Sequence, residues 1–125
     1  FNLGDVYYRI GDYDTAIAYL KIALDMKLSP KTHLAVLNKL GRTYSAMGEI
    51  NKAIEIFEET IRLFPSATAP YNNLGVQYIN VGKFDLAAET FEKGLKIKEE
   101  PFLRSNLAVA YAKKAAKEKN AEKQK

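Results

Sequence analysis

Cysteine is absent from the 125 residues, which excludes a disulfide framework, a thiolate metal site and a thiol nucleophile, and is compatible with a reducing, cytoplasmic setting. Histidine occurs once. His33 has no second histidine or thiol with which to form a metal constellation, and its position at the start of a helical pattern reads as a polar helix-start residue. No apolar run approaches the roughly 20 residues of a membrane span. The opening FNLGDVYYRIG lacks the charged and apolar regions of a signal peptide and has no initiator Met, so a start directly on a helical pattern suggests a piece of a longer protein. The length is one domain's worth, able to bury roughly 65% of the unfolded surface without staples.

The charge excess is also missing from most of the chain. Of 19 basic and 15 acidic residues, six Lys and two Glu fall in KKAAKEKNAEKQK, residues 113–125, leaving 13 of each sign in the preceding 112. The isoelectric point of about 9.2 therefore belongs to the tail. A neutral body has no global electrostatic footprint for a phosphate backbone, and the tail has no aromatic residue after Tyr111 to stack a base, so no nucleic-acid partner is expected. The tail reads as a solubilising end, or as a contact for an acidic partner.

What the chain does have is a repeated frame. NLGDVYY from Asn2, KLGRTY from Lys39, NNLGVQY from Asn72 and NLAVAY from Asn106 share one pattern, anchored at Gly4, Gly41, Gly75 and Ala108 with spacings of 37, 34 and 33 residues. A motif recurring four times is scaffold rather than a catalytic centre. Seven residues past the anchors stand Gly11, Gly48, Gly82 and Ala115, where a Gly closing an apolar-periodic helix predicts a left-handed C-terminal cap. Twelve past them come the small Ala16, Ala53 and Ala87. Sixteen past come Leu20, Phe57 and Phe91, expected to fill the space between neighbouring helix pairs, and nineteen past come Ala23, Thr60 and Gly94.

The unit is a helical hairpin. First helices are predicted near 1–10, 32–47 and 68–81, and second helices near 14–28, 51–63 and 85–98, with no sheet. The apolar spacing Ile17, Leu20, Leu24, Leu28 carries the extra length of the first repeat to about Leu28. Ser29-Pro30 predicts an N-cap with Pro in the first turn, Pro65-Ser66 predicts the end of one helix and the cap of the next, and Pro101 opens the last. There no second helix follows. Arg104 takes a column that is apolar in Leu37 and Tyr71, acceptable only if nothing covers it. Leu107, Ala108, Tyr111, Ala112, Ala115 and Ala116 are read as the apolar stripe of a helix sealing the array, with residues 117–125 polar all round.

The order Leu40, Gly41, Tyr44, Ala53, Phe57, Pro65, and again Tyr71, Leu74, Gly75, Tyr78, Ala87, Phe91, resembles the tetratricopeptide repeat family. The resemblance covers residues 1 to about 112; Glu99 replaces the usual Pro, and the first repeat is cut. It implies an all-α, right-handed α-solenoid of helical hairpins, with repeats at about 1–30, 31–67 and 68–100, a capping helix at 101–116 and a Lys-rich tail at 117–125. It implies no enzyme and no cofactor, but a protein-interaction adaptor whose first helices line a concave groove for an extended or helical segment of a partner protein.

By that register the groove takes Asn2, Asp5, Tyr8 and Arg9; Asn38, Lys39, Arg42 and Ser45; Asn72, Asn73, Val76, Ile79 and Asn80; and Phe102, Ser105, Asn106, Val109 and Lys113. Asn2, Lys39, Asn73 and Asn106 share one column. The family includes members whose stacked Asn amides bind the backbone of an extended peptide, since an amide offers both donor and acceptor, and Asn2, Asn73 and Asn106 resemble them; the same amides could instead bond to a neighbouring helix. Arg9, Lys39, Arg42 and Lys113 could pair an acidic ligand, while Val76, Ile79, Phe102 and Val109 offer apolar contact. The clamp that holds acidic chaperone C-termini needs a Lys and an Asn one turn apart, an Asn in the next repeat, and then Lys and Arg. Only Asn73 meets it. Glu58-Glu59 and Glu99-Glu100 diverge by about 100° on a helix and cannot act as facing pairs. A second reading is a self-associating structural module, favoured by an open first hairpin.

Overall fold

A computed structural model describes residues 12–123. Six helices and no strand occur among the described residues: α1 Tyr13–Leu24, α2 Pro30–Ala46, α3 Ile50–Leu63, α4 Ala69–Asn80, α5 Phe84–Ile97 and α6 Pro101–Lys123. The chain divides between Pro65 and Ser66 into two compact units, α1 to α3 and α4 to α6. The all-α hairpin architecture expected from the repeat is the one found.

Local chemistry sets the helix ends. Ser29 is extended, the conformation favoured before Pro, and its hydroxyl accepts the Thr32 amide at 3.3 Å, which starts α2 at Pro30. Gly48 and Gly82 stand at φ +84° and +81°. In the first turn the Gly48 amide reaches Ser45 O at 3.0 Å and the Glu49 amide reaches Tyr44 O at 2.9 Å. In the second, Gly82 reaches Ile79 O at 3.0 Å and Lys83 reaches Tyr78 O at 2.8 Å. Both are Schellman closures, and each turns its hairpin.

Two expected boundaries are corrected. Helix α1 stops at Leu24 rather than Leu28, and the connections 25–29 and 64–68 are equally long, so the extra length of the first repeat falls at the start of α2, which begins 11 residues before Gly41 where α4 begins six before Gly75. Beyond Leu24, a further helical turn would bury only Leu28, because Asp25, Met26 and Lys27 are exposed, and the extended Ser29 forbids the helix from running on. Ser66 does not cap α4: it lies in a turn, and Thr68 precedes the helix without a side-chain bond, leaving Pro70 in the first turn as the start signal.

Packing within each hairpin turns on one glycine. A Cβ on Gly41 would lie 2.4 Å from the Phe57 ring, and one on Gly75 would lie 2.4 Å from the Phe91 ring. Both rings are fully buried. Phe57 and Phe91 therefore seat on the anchor glycine of their own hairpin, and Phe91 also shares one core with Leu103, Leu107 and Ala110 of α6, the next helix after its hairpin. Ala16, Ala53 and Ala87 are also fully buried. The buried Thr43, Thr60 and Thr90 hydroxyls each donate to the carbonyl four residues back at 2.7 Å, so none of the three is stranded by the packing. His33 has a partner that the sequence did not reveal: its ring meets Phe64 edge-on, with centroids 5.4 Å apart, closing the open end of the α2–α3 hairpin.

In the second unit, Gly94 admits α6. A Cβ there would meet both Leu103 Cδ1 and Tyr71 Cβ at 3.0 Å, so α4, α5 and α6 converge on it. Leu103, Leu107 and Ala110 are the buried face of α6, joining Ala87, Ala88 and Phe91 in one core. Of the stripe expected on this helix only Leu107 is buried; Ala108, Tyr111, Ala112, Ala115 and Ala116 are exposed. The anchor columns of the earlier repeats are buried because a second helix lies across them, and none lies across α6 among the described residues.

Candidate functional site

The expected groove residues Asn2, Asp5, Tyr8 and Arg9 lie outside the described residues. In the first unit, Asn38, Lys39 and Ser45 on α2 are half-buried, and Arg42 is exposed. None of Asn38, Lys39 and Ser45 is without a partner.

The second unit brings its candidates together on adjacent faces of α4 and α6. The Asn106 side-chain amide donates to the Asn72 carbonyl oxygen at 2.6 Å. That bond fixes the register: Val76 and Ile79 follow Asn72 along α4, while Val109 and Lys113 follow Asn106 along α6, and Phe102 stands one turn before it. Val76 and Ile79 are half-buried against the core; Phe102 and Val109 are each 40% exposed. Asn80, Ser105 and Lys113 are exposed, and Asn73, half-buried, has a partner. The surface thus combines apolar side chains that water still reaches with an amide pair and a basic end.

The Asn72–Asn106 pairing was not legible in the repeat column, which aligns Asn106 with Asn73. The available signal was the doubled Asn72-Asn73, which offers an amide at an offset of 34 residues as well as one of 33. Asn106 spends one donor inside the scaffold; by inventory it retains a second donor and its acceptor.

On the opposite edge of α6, the polar contacts run as an antiparallel row against Glu99, Glu92 and Asp85, which are spaced by seven along the chain and reach from the α5–α6 connection back to the first turn of α5. Arg104 Nε donates to both oxygens of Glu99 at 2.9 and 3.0 Å. The Tyr111 hydroxyl donates to Glu92, and Lys114 pairs with Asp85 at 2.7 Å. The hydrogen bond to Glu92 raises the Tyr111 phenol above its ordinary range, and the Asp85 carboxylate raises the Lys114 ammonium likewise. Arg104 is exposed, as its place in an apolar column requires.

No group of three or more His, Cys, Asp or Glu among the described residues could hold a metal ion, and no helix there is long and apolar enough to cross a membrane. A hairpin array whose glycines are structural, with a mixed apolar and amide surface on its first helices, is the architecture of a protein-interaction scaffold. Tetratricopeptide repeat models match residues 1–66 and 38–101, and the chain belongs to that family. Over 73 residues it is 31% identical to human intraflagellar transport protein 88 homolog, a match covering 57% of this chain and 9% of that protein. The chain thus spans under a tenth of that relative. In fold it is similar to the Sgt2 tetratricopeptide repeat domain of Aspergillus fumigatus, with TM-score 0.82, 22% identity, and coverage of 96% of this chain and 80% of that one. It is also similar to the first such domain of Spaghetti (RPAP3) bound to the HSP90 peptide SRMEEVD, with TM-score 0.78, 18% identity, and coverage of 91% and 89%.

Proposed function

We propose that this chain is an adaptor module that holds an extended or helical segment of a partner protein on the α4–α6 face. The observation that carries the reading is the joint exposure of Phe102 and Val109 beside the Asn72–Asn106 amides. These apolar groups stay wet on a surface organised by a side-chain bond between two helices 34 residues apart in sequence. Covering them would release ordered water, and the remaining amide valences would orient a backbone. The RPAP3 domain supports it as a related fold with a peptide bound. That particular peptide is not carried to this chain, because the clamp residues beyond Asn73 are missing.

The test is an array of overlapping segments from candidate partner proteins, probed with the parent chain and with Val109→Glu. Val109 is exposed and outside the core, so the variant should keep its melting temperature while losing at least about 1 to 3 kcal/mol of binding: that range is for a neutral polar group, and a carboxylate costs more to bury even with Lys113 one turn on. Equal capture by both proteins would refute the reading. Self-association is the second reading, favoured by Ile22 and Met26, which are 58% and 63% exposed near the end of α1. Light scattering over a concentration series separates it from the first.

A further inference from the structure

We infer that the segment bound on the α4–α6 face is acidic at one end, with its carboxylates placed in a shallow cleft formed by Phe84, Lys113 and Lys117. This deepens the proposed function and rests on it.

The inference comes from where the carboxylates are not. Helix α4 contains no charged side chain, and α6 contains no carboxylate before Glu118. The acidic residues of α5 and the following connection include Asp85, Glu92 and Glu99, which engage the opposite edge of α6. Neighbouring lysines consequently differ. Lys114 is neutralised by Asp85, whereas Lys113, one residue earlier and 100° round the helix, has no carboxylate partner among the described residues. Lys117 lies over the Phe84 ring, 5.8 Å from its centroid, an arrangement that fixes the ammonium without cancelling its charge. Phe84, Lys113, Ala116, Lys117, Asn120 and Ala121 line the cleft between them.

Lys113 continues the Asn106–Val109 face by one helical turn and Lys117 by two, so the surface grades from apolar and amide to cationic along α6. A segment with apolar side chains followed by Asp or Glu matches that gradient; a basic segment meets repulsion at one end. A nucleic acid matches it less well. Lys117 already occupies a face of the one aromatic ring in the cleft, and the Phe102 and Val109 surface offers a phosphate backbone nothing.

The experiment pans a displayed library of random 12-residue segments against the full chain. Enriched peptides are then titrated by fluorescence anisotropy against the parent, Val109→Glu, and the double variant Lys113→Glu with Lys117→Glu. Enrichment of apolar segments with clustered Asp or Glu, weakened about tenfold by the double variant and by added salt, supports the inference. Enriched peptides without acidic bias, weakened by Val109→Glu but not by the double variant, overturn it and leave the groove reading standing. Enriched peptides indifferent to Val109→Glu, or no enrichment at all, overturn both. A single-stranded RNA 20-mer that displaces the peptides and is lost in the double variant assigns the cleft to nucleic acid and overturns the inference. Should circular dichroism show that the charge reversals disturb α6, Lys113→Gln with Lys117→Gln reads the same comparison.

Discussion

Replacing Gly75 by Ala is a severe test of the hairpin packing, because two opposing effects have different and separable origins. In an exposed helix the change would stabilise by about 1 kcal/mol through propensity alone. Here the new methyl would lie 2.4, 2.6 and 2.8 Å from three atoms of the Phe91 ring. Carbon atoms rest about 3.5 to 4.0 Å apart, so the ring must retreat by roughly 1 Å, and it is fully buried within the core of its unit. Overpacking of that kind costs about 1 to 3 kcal/mol. With the clash well inside contact distance, the upper end applies, and the expected net loss is about 1 to 2 kcal/mol, or several degrees in melting temperature. Urea titration followed by circular dichroism at 222 nm measures it. Phe91→Leu should make Gly75→Ala less costly, with a coupling of about 1 kcal/mol in the double-mutant cycle. Gly82→Ala supplies the contrast. At φ +81° with nothing within 4 Å, it should cost about 1 to 2 kcal/mol through backbone conformation, and Phe91→Leu should leave that cost unchanged. A Gly75→Ala protein as stable as its parent, or no coupling with Phe91, would refute the packing argument.

Ser29→Ala removes the acceptor for the Thr32 amide and should destabilise by about 1 kcal/mol; Ser66→Ala, at a position that caps nothing, should be close to neutral in the same melts. Truncation after Ala116 removes the Lys117 contact with Phe84 and otherwise, over residues 118–122, only exposed side chains, so the melting temperature should fall by no more than a few degrees; a larger loss would mean that the distal turns pack. At alkaline pH the raised Tyr111 and Lys114 groups matter. Their contacts are fully present below the ordinary values of 10.0 and 10.5 and are lost as pH rises through the raised ones. Tyr111→Phe with Lys114→Gln should therefore lose less stability than the parent as pH rises beyond those ordinary values of 10.0 and 10.5, and parallel losses would deny those two contacts a role.

The elements most legible in the sequence were those governed by local backbone chemistry. Gly48 and Gly82 marked their turns because a left-handed cap admits little else, and Pro30 and Pro101 marked helix starts for the complementary reason. Three features set by non-local packing are not recorded in the spacing. Leu28 continues the apolar spacing of α1, but spacing does not record whether a surface waits to receive it. Phe57 and Phe91 stand at the expected large positions, but the columns do not record that each ring also rests on Gly41 or Gly75 of its own hairpin. On α6 the repeat columns carried over the letters but not the burial, since those columns face a second helix in the earlier repeats. The candidate surface was legible as a set of positions; the bond that organises it, from Asn106 to Asn72, was not.

Ala108 gives the end of α6 a practical meaning for anyone wishing to lengthen the array. Its column holds Gly41 and Gly75 earlier in the chain, and each glycine is a socket for the phenylalanine that stands sixteen residues further on. At Ala108 the socket already contains a methyl group. A hairpin grafted by copying a repeat after residue 114 would deliver its phenylalanine onto that methyl, and its new helix would also have to lie over the charged Arg104. Such a chimera should splay unless Ala108 is first returned to Gly and Arg104 to an apolar residue. Duplication of this module within a gene would face the same two-position barrier, so new repeats would be accommodated more easily as insertions among the earlier hairpins than as additions behind α6.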